Sequence, residues 1–152
     1  MQEAIFYIYS RNLKMTRIKY DVNLMKFISL FESITRARVK DCISKDERLI
    51  FIVQPGEMGK AIGKKGSNIK KLEKSLKKKI RIIEFDDEVA GFVSNCIYPS
   101  KAKDIEEREG KVMITPEDNK ARGYIIGRGG INLRELEDIV SRFFEVDEIK
   151  VV

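Results

Sequence analysis

From residue 21 the apolar positions fall three and four apart. Leu24, Phe27, Ile28, Phe31 and Ile34 share one face of a helix, and Asp21 stands where an N-cap would accept the first free N–H groups. Residues 36–44 then read as a modest strand. Residues 48–53 carry Leu49, Ile50, Phe51, Ile52 and Val53 without a break, the pattern of a buried strand. Pro55 and Gly56 end it. A short helix over 58–62 runs into a turn at 63–66. A longer helix follows, predicted to hold Ile69, Leu72, Leu76 and Ile80 on its inward face, and residues 81–85 form a closing strand.

The remainder repeats this order. Residues 87–98 read as a helix with Val89, Phe92, Val93, Cys96 and Ile97 apolar, stopped by Pro99. Residues 103–108 are a weak polar strand and 111–115 a stronger one. The stretch 116–126 contains a short helix and is three residues longer than its counterpart when the prolines are aligned. A long helix over 131–144 turns Leu133, Leu136, Ile139, Val140 and Phe143 inward, and 148–152 is the final strand. Each half is therefore α-β-β-α-α-β, and the expected division is 19–85 and 86–152. Residues 1–18 are set aside as an N-terminal extension. Within it, 4–9 is apolar enough for an added strand, and Met15 is as natural a start as Met1.

The repetition extends to individual residues. Gly59-Lys60-Ala61-Ile62-Gly63-Lys64-Lys65-Gly66-Ser67-Asn68-Ile69-Lys70-Lys71-Leu72-Glu73 returns 64 positions later as Gly123-Tyr124-Ile125-Ile126-Gly127-Arg128-Gly129-Gly130-Ile131-Asn132-Leu133-Arg134-Glu135-Leu136-Glu137. The shared skeleton is Gly-x-x-Ile-Gly-x-x-Gly-x-Asn-(Ile/Leu)-(Lys/Arg)-x-Leu-Glu. Such a period is too long for a solenoid unit and suits two small domains in tandem. Between the closing strand of one and Val89, the first apolar residue of the next helix, stand only Asp86, Asp87 and Glu88. Three residues reach about 10 Å at most, so two domains packed as one rigid body are expected.

The chemistry of the repeated turn is that of a polyanion clamp. Gly63, Gly66, Gly127 and Gly130 permit a tight turn and lack the Cβ that would hold a phosphate–sugar chain away. The helix that follows presents free N–H groups and partial positive charge. Lys64, Lys65 and Arg128 supply full charges from the variable positions, where Gly129 also stands. Lys70 and Arg134 lie one turn further along. Ile62 and Ile126 are candidates for an apolar floor beneath bases, and Asn68 and Asn132 for a helix cap or a ligand contact. The lysines at 71, 74 and 77–79 read as a solvated helix face with general electrostatic influence.

Charge sharpens this picture. The chain of 152 residues carries a formal net charge of +6. Residues 1–85 hold 20 Lys/Arg against 9 Asp/Glu, and residues 86–152 hold 10 against 15. The first half is the electrostatic anchor and the second is not. With no histidine, the commonest general base and metal ligand is missing. Cys42 and Cys96 stand singly, which argues against a disulfide scaffold or zinc site. The Gly59-x-x-x-Gly63-Lys64-Lys65 spacing is one residue short of a P-loop and lacks its hydroxyl. No catalytic residue, metal or cofactor is expected, and the chain reads as a non-enzyme. No apolar run approaches the roughly 20 residues that span a bilayer; no membrane association is expected, and a reducing cytoplasmic setting is the default.

Ile-Gly-x-x-Gly at the entry to an amphipathic helix resembles the backbone clamp of KH domains, which grip single-stranded nucleic acid. The paired windows 61–69 and 125–133 are similar to the tandem KH core of the transcription factor NusA, in the short archaeal form without the polymerase-binding amino-terminal domain or the S1 domain. The order of elements covers roughly residues 16–152. This resemblance implies two tandem α+β domains of the type II KH arrangement, because one strand follows the second motif's helix where type I would need two strands and a helix. Each would have a three-stranded mixed sheet with helices on one face. It implies single-stranded RNA as partner, nascent transcript or rRNA, in transcription elongation, termination or antitermination, with both loops on one RNA track in a monomer. RNA polymerase or ribosomal components are further candidate partners. The alternative is an rRNA-binding assembly factor whose acidic second domain docks protein. The few aromatics lie outside both motif loops, Tyr124 being the nearest, so base stacking is expected to contribute less than in aromatic-platform binders.

Overall fold

A computed structural model describes residues 22–152. The expected Asp21 cap, and the extension and added strand expected within 1–18, lie outside those residues. The chain separates into two compact units, with the division between Ile82 and Ile83. Both carry a three-stranded mixed sheet with helices, so the chain is α+β as expected.

The first unit runs α1 (Val22–Thr35), β1 (Val39–Lys45), β2 (Arg48–Val53), α2 (Met58–Ile62), a single 3-10 turn (Lys64–Gly66), α3 (Ser67–Leu76) and β3 (Lys79–Glu84). The sheet order is β1-β2-β3, with β1 and β2 antiparallel. Alternate residues of β2, Leu49, Phe51 and Val53, pack with Phe31 of α1, Ala61 of α2 and Leu72 of α3. The rings of Phe31 and Phe51 stack with centroids 4.2 Å apart. The intervening Ile50 and Ile52 are buried too, which is why the strand carries no polar alternation.

Two boundaries differ from expectation, each for a local reason. Residues 36–38 do not join β1. Thr35 Oγ1 donates to the Phe31 carbonyl at 2.9 Å and accepts from Ala37 N at 3.0 Å, while Arg36 turns left-handed at φ 66. Arg36 and Ala37 finish the helix instead, while the Arg38 carbonyl already accepts from Gln54 N at 2.9 Å, beyond the end of β2. Ile80 does not lie on the face of α3 with Ile69, Leu72 and Leu76. Lys77, left-handed at φ 56, ends the helix with its N–H on the Glu73 carbonyl at 2.8 Å. Ile80 then enters β3, which begins two residues earlier than predicted.

The second unit runs α4 (Val89–Ile97), β4 (Ala102–Arg108), β5 (Lys111–Pro116), α5 (Asn119–Ile126), a 3-10 turn (Arg128–Gly130), α6 (Ile131–Ser141) and β6 (Glu148–Val151). In its sheet β5 lies between an antiparallel β4 and a parallel β6. Here the alternation is clean: Val112 and Ile114 are buried, Lys111 and Met113 exposed. The longer stretch before the second loop appears as eight helical residues in α5 against five in α2. Asp118 caps α5 by accepting from Ala121 N at 2.8 Å. Helix α6 stops three residues short of the predicted 144, and α4 is trimmed at both ends. Phe143 and Phe144 leave the helix to pack with Phe85 and Phe92, each of the two within 5.9 Å, centroid to centroid, of both. That aromatic cluster is the second unit's counterpart of the Phe31–Phe51 stack.

Among the described residues no helix is long and apolar enough to cross a membrane.

Candidate nucleic-acid interface

The two glycine loops are built alike, the widest difference being Lys65 at ψ 31 against Gly129 at ψ 17. Gly63 has φ 76, ψ 168 and Gly127 has φ 76, ψ 169. Lys65 and Gly129 are left-handed at φ 56 and φ 63, and Gly66 and Gly130 at φ 73 and φ 80. Each fourth glycine donates its N–H to the first glycine's carbonyl at 3.1 Å. Two sequences that differ at every variable position thus fold to one turn, and the reasons are local.

The first reason is the asparagine. Asn68 Nδ2 donates to the Lys60 carbonyl at 2.8 Å, and Asn132 Nδ2 to the Tyr124 carbonyl at 2.8 Å. Each amide reaches back across the loop and stitches the long helix to the last turn of the short one. Neither asparagine caps its helix: the N-caps are Gly66 and Gly130, without a side-chain bond. The second reason is the first glycine. A Cβ on Gly63 would sit 2.8 Å from Asn68 Cγ, and one on Gly127 2.7 Å from Asn132 Cγ. Only a residue without Cβ fits beneath the stitch.

Around this frame the predicted residues fall into two groups. Lys64, Lys65, Lys70, Arg128, Asn132 and Arg134 are exposed, while Ile62, Ile126 and Asn68 are half-buried. Ile62 also packs against the first unit's core. Arg134 is not simply a free charge, since its Nη1 donates to the Gly129 carbonyl at 2.8 Å. It braces a loop in which two consecutive glycines would otherwise leave the chain loose. The long helices begin without capping side chains, and their first N–H groups turn back into the loop: Ser67 N–H donates to the Lys64 carbonyl and Ile131 N–H to the Arg128 carbonyl.

Carboxylates without a role in the sequence reading hold the frame together. Glu73 Oε2 accepts from Ile80 N at 3.1 Å, and Glu137 Oε2 accepts from Ile149 N at 3.0 Å. The glutamate closing each repeat therefore ties the long helix to the last strand. Its recurrence in the skeleton was the available signal. Glu57 Oε1 accepts from Arg38 N at 2.7 Å, and its Oε2 lies 3.5 Å from Lys60 Nζ. The Arg38 amide, and to a lesser extent Lys60, hold the Glu57 carboxyl below its usual value despite some opposing desolvation.

Residues 27–89 match the KH domain family. Over 141 residues the chain is 34% identical to the probable transcription termination protein NusA of Methanocaldococcus jannaschii, covering 91% of this chain and 77% of that protein. The protein of the same name from Methanococcus vannielii is 36% identical over 139 residues, covering 90% and 80%. The chain belongs to the archaeal NusA family. NusA of Halococcus morrhuae is 31% identical and matched over 99% of its length. The crystal structure of APE1850 superposes with a TM-score of 0.72 at 32% identity, over 86% of this chain and 99% of that one. In this NusA-family chain the first unit is matched directly as a KH domain. The second repeats its element order, its loop torsions and its asparagine stitch, giving the tandem type II KH arrangement.

Proposed function

We propose that this chain is a non-enzymatic, single-stranded RNA-binding protein of transcription termination and antitermination, gripping the RNA backbone with both glycine loops. The observation that carries the reading is the identity of the two loops in torsion, stitch and uncapped helix start, with exposed cations at their tips. A tight turn with glycine at both ends lets a phosphate approach the backbone. The helix N-terminus then offers N–H donors, and Lys64, Lys65 and Arg128 offer charge. Four nucleotides per KH unit give a site of about eight if both loops lie on one RNA track. Nascent transcript in the cytoplasm is the target that family membership favours, with RNA polymerase as the accompanying partner.

The acidic composition of the second unit favours one competing reading, an rRNA assembly factor whose second unit docks protein. Binding of single-stranded RNA across a salt series separates the two. Lys64→Asp/Lys65→Asp should abolish binding, and Arg128→Asp should weaken it, with circular dichroism confirming each fold. Unchanged affinity in folded Arg128→Asp would transfer the second unit to protein docking. Unchanged affinity in Lys64→Asp/Lys65→Asp would defeat the proposal itself.

A further inference from the structure

The two loops share a backbone but not a surface. Residues 60–74 carry six lysines and one glutamate, whereas the corresponding 124–138 carry two arginines against three acids. One of those arginines, Arg134, is engaged with the Gly129 carbonyl. Phosphate attraction at the second loop therefore rests on Arg128 and on the charge that the exposed Arg134 retains, against six lysines at the first. In exchange, the second loop is flanked by large apolar groups where the first has polar ones. Tyr124 replaces Lys60 and is 58% exposed, and Ile131 replaces Ser67 and is 58% exposed. They bracket the turn: Tyr124 stands three residues before Gly127, and Ile131 directly follows Gly130.

An exposed tyrosine and isoleucine cost solvation that two polar residues at the same backbone positions avoid. The first unit shows that the turn folds without them. Nor does the stitch need either side chain, because Asn132 bonds the Tyr124 carbonyl, a backbone atom. Their chemistry fits the part of a single-stranded RNA that a loop poor in free cations can still hold. Unstacked bases expose flat apolar faces, and aromatic side chains stack on them whatever the sequence.

We infer that the second loop holds RNA mainly by its bases, with the Tyr124 ring as stacking platform and Ile131 as an apolar neighbour, while the first loop holds phosphates. The inference rests on the RNA-binding reading above and refines it. The two units then divide the labour: the basic one sets affinity and its salt dependence, and the acidic one adds a contact that salt does not screen.

The chain has no tryptophan, so Tyr124→Trp introduces a single reporter at the point in question. Its fluorescence should be quenched by an eight-nucleotide single-stranded RNA and left unchanged by inorganic polyphosphate, which has charge but no bases. Tyr124→Ala should weaken RNA binding about 10-fold, within a range of roughly 5- to 150-fold, without altering the salt slope. Tyr124→Phe should bind like the parent. Lys64→Gln/Lys65→Gln should instead flatten the slope of log K against log salt by about 1.4. Undiminished binding by Tyr124→Ala together with an unquenched tryptophan overturns the stacking role and leaves that surface to a protein partner. If the parent binds no single-stranded RNA at all, the function proposal fails first and the stacking role with it.

Discussion

Replacing Gly63 by alanine should be far more damaging than replacing Gly66, although both belong to the same turn. Gly63 has φ 76 and ψ 168, a region essentially closed to residues with a Cβ, where strain costs about 1–3 kcal/mol. The new methyl would also lie 2.8 Å from Asn68 Cγ and Nδ2, so the amide must move and its bond to the Lys60 carbonyl is lost. That bond contributes about 0.5–1.5 kcal/mol. Together the expected loss is about 2–4 kcal/mol. Gly66 sits at φ 73, ψ 17 with nothing within 4 Å of its missing Cβ. There alanine pays only the left-handed penalty, about 1–2 kcal/mol. Urea unfolding of the two variants and the parent, followed by circular dichroism, measures the difference. An Asn68→Ala background should shrink the Gly63→Ala loss by about 1 kcal/mol, because the amide is gone and only the rotatable Ser67 Oγ, 2.9 Å from the new methyl, still crowds it. Equal destabilisation by the two alanines, or a Gly63→Ala loss indifferent to Asn68, would refute the stitch as the reason for the first glycine.

Lys65 carries the left-handed torsion that Gly129 carries in the second loop, so Lys65→Gly should raise thermal stability by up to about 1 kcal/mol. The same change should lower the salt slope of RNA binding by about 0.7, one phosphate contact on a single strand. Glu73→Ala and Glu137→Ala each strand a strand-initiating N–H, and unfolding should show a loss of about 1–2 kcal/mol for either, with RNA affinity of the folded protein unchanged. The Glu57 carboxyl is held below its ordinary 4.5 by the Arg38 amide. Its contribution to stability is therefore present above pH 4.5 and lost as pH falls through the lower folded value. Glu57→Gln should flatten the acid limb of a stability–pH profile, and an unaltered limb would count against the Arg38–Glu57 tie.

The element order was legible because apolar spacing switches between helical and extended periods at each boundary, and because the repeat reads the same grammar twice. The loops were legible because so few residues tolerate their torsions. Boundaries were lost where side chains compete with the backbone ladder. Thr35 closes a helix by bonding both forward and back, an arrangement periodicity does not register. Ile80 continues the helical spacing of α3, yet Lys79 N–H bonds the Glu47 carbonyl at 3.0 Å and draws the chain into β3. The asparagines were visible as a pair, but their partners lie eight residues back across a turn. Local sequence carries no sign of which carbonyl an amide reaches. The dissimilar flanks of the two loops, Tyr124 and Ile131 against Lys60 and Ser67, were present in the aligned repeat. They acquired meaning only once the two backbones proved alike.

The most direct measurement is an amide-resolved NMR titration of the protein with an eight-nucleotide single-stranded RNA. If both loops grip the RNA, the largest shifts should fall on Lys64, Lys65, Gly66 and Asn68 in the first unit. In the second they should fall on Arg128, Gly129, Gly130 and Asn132, with the backs of both sheets silent. Saturable shifts that spare both loops and gather elsewhere would contradict the account.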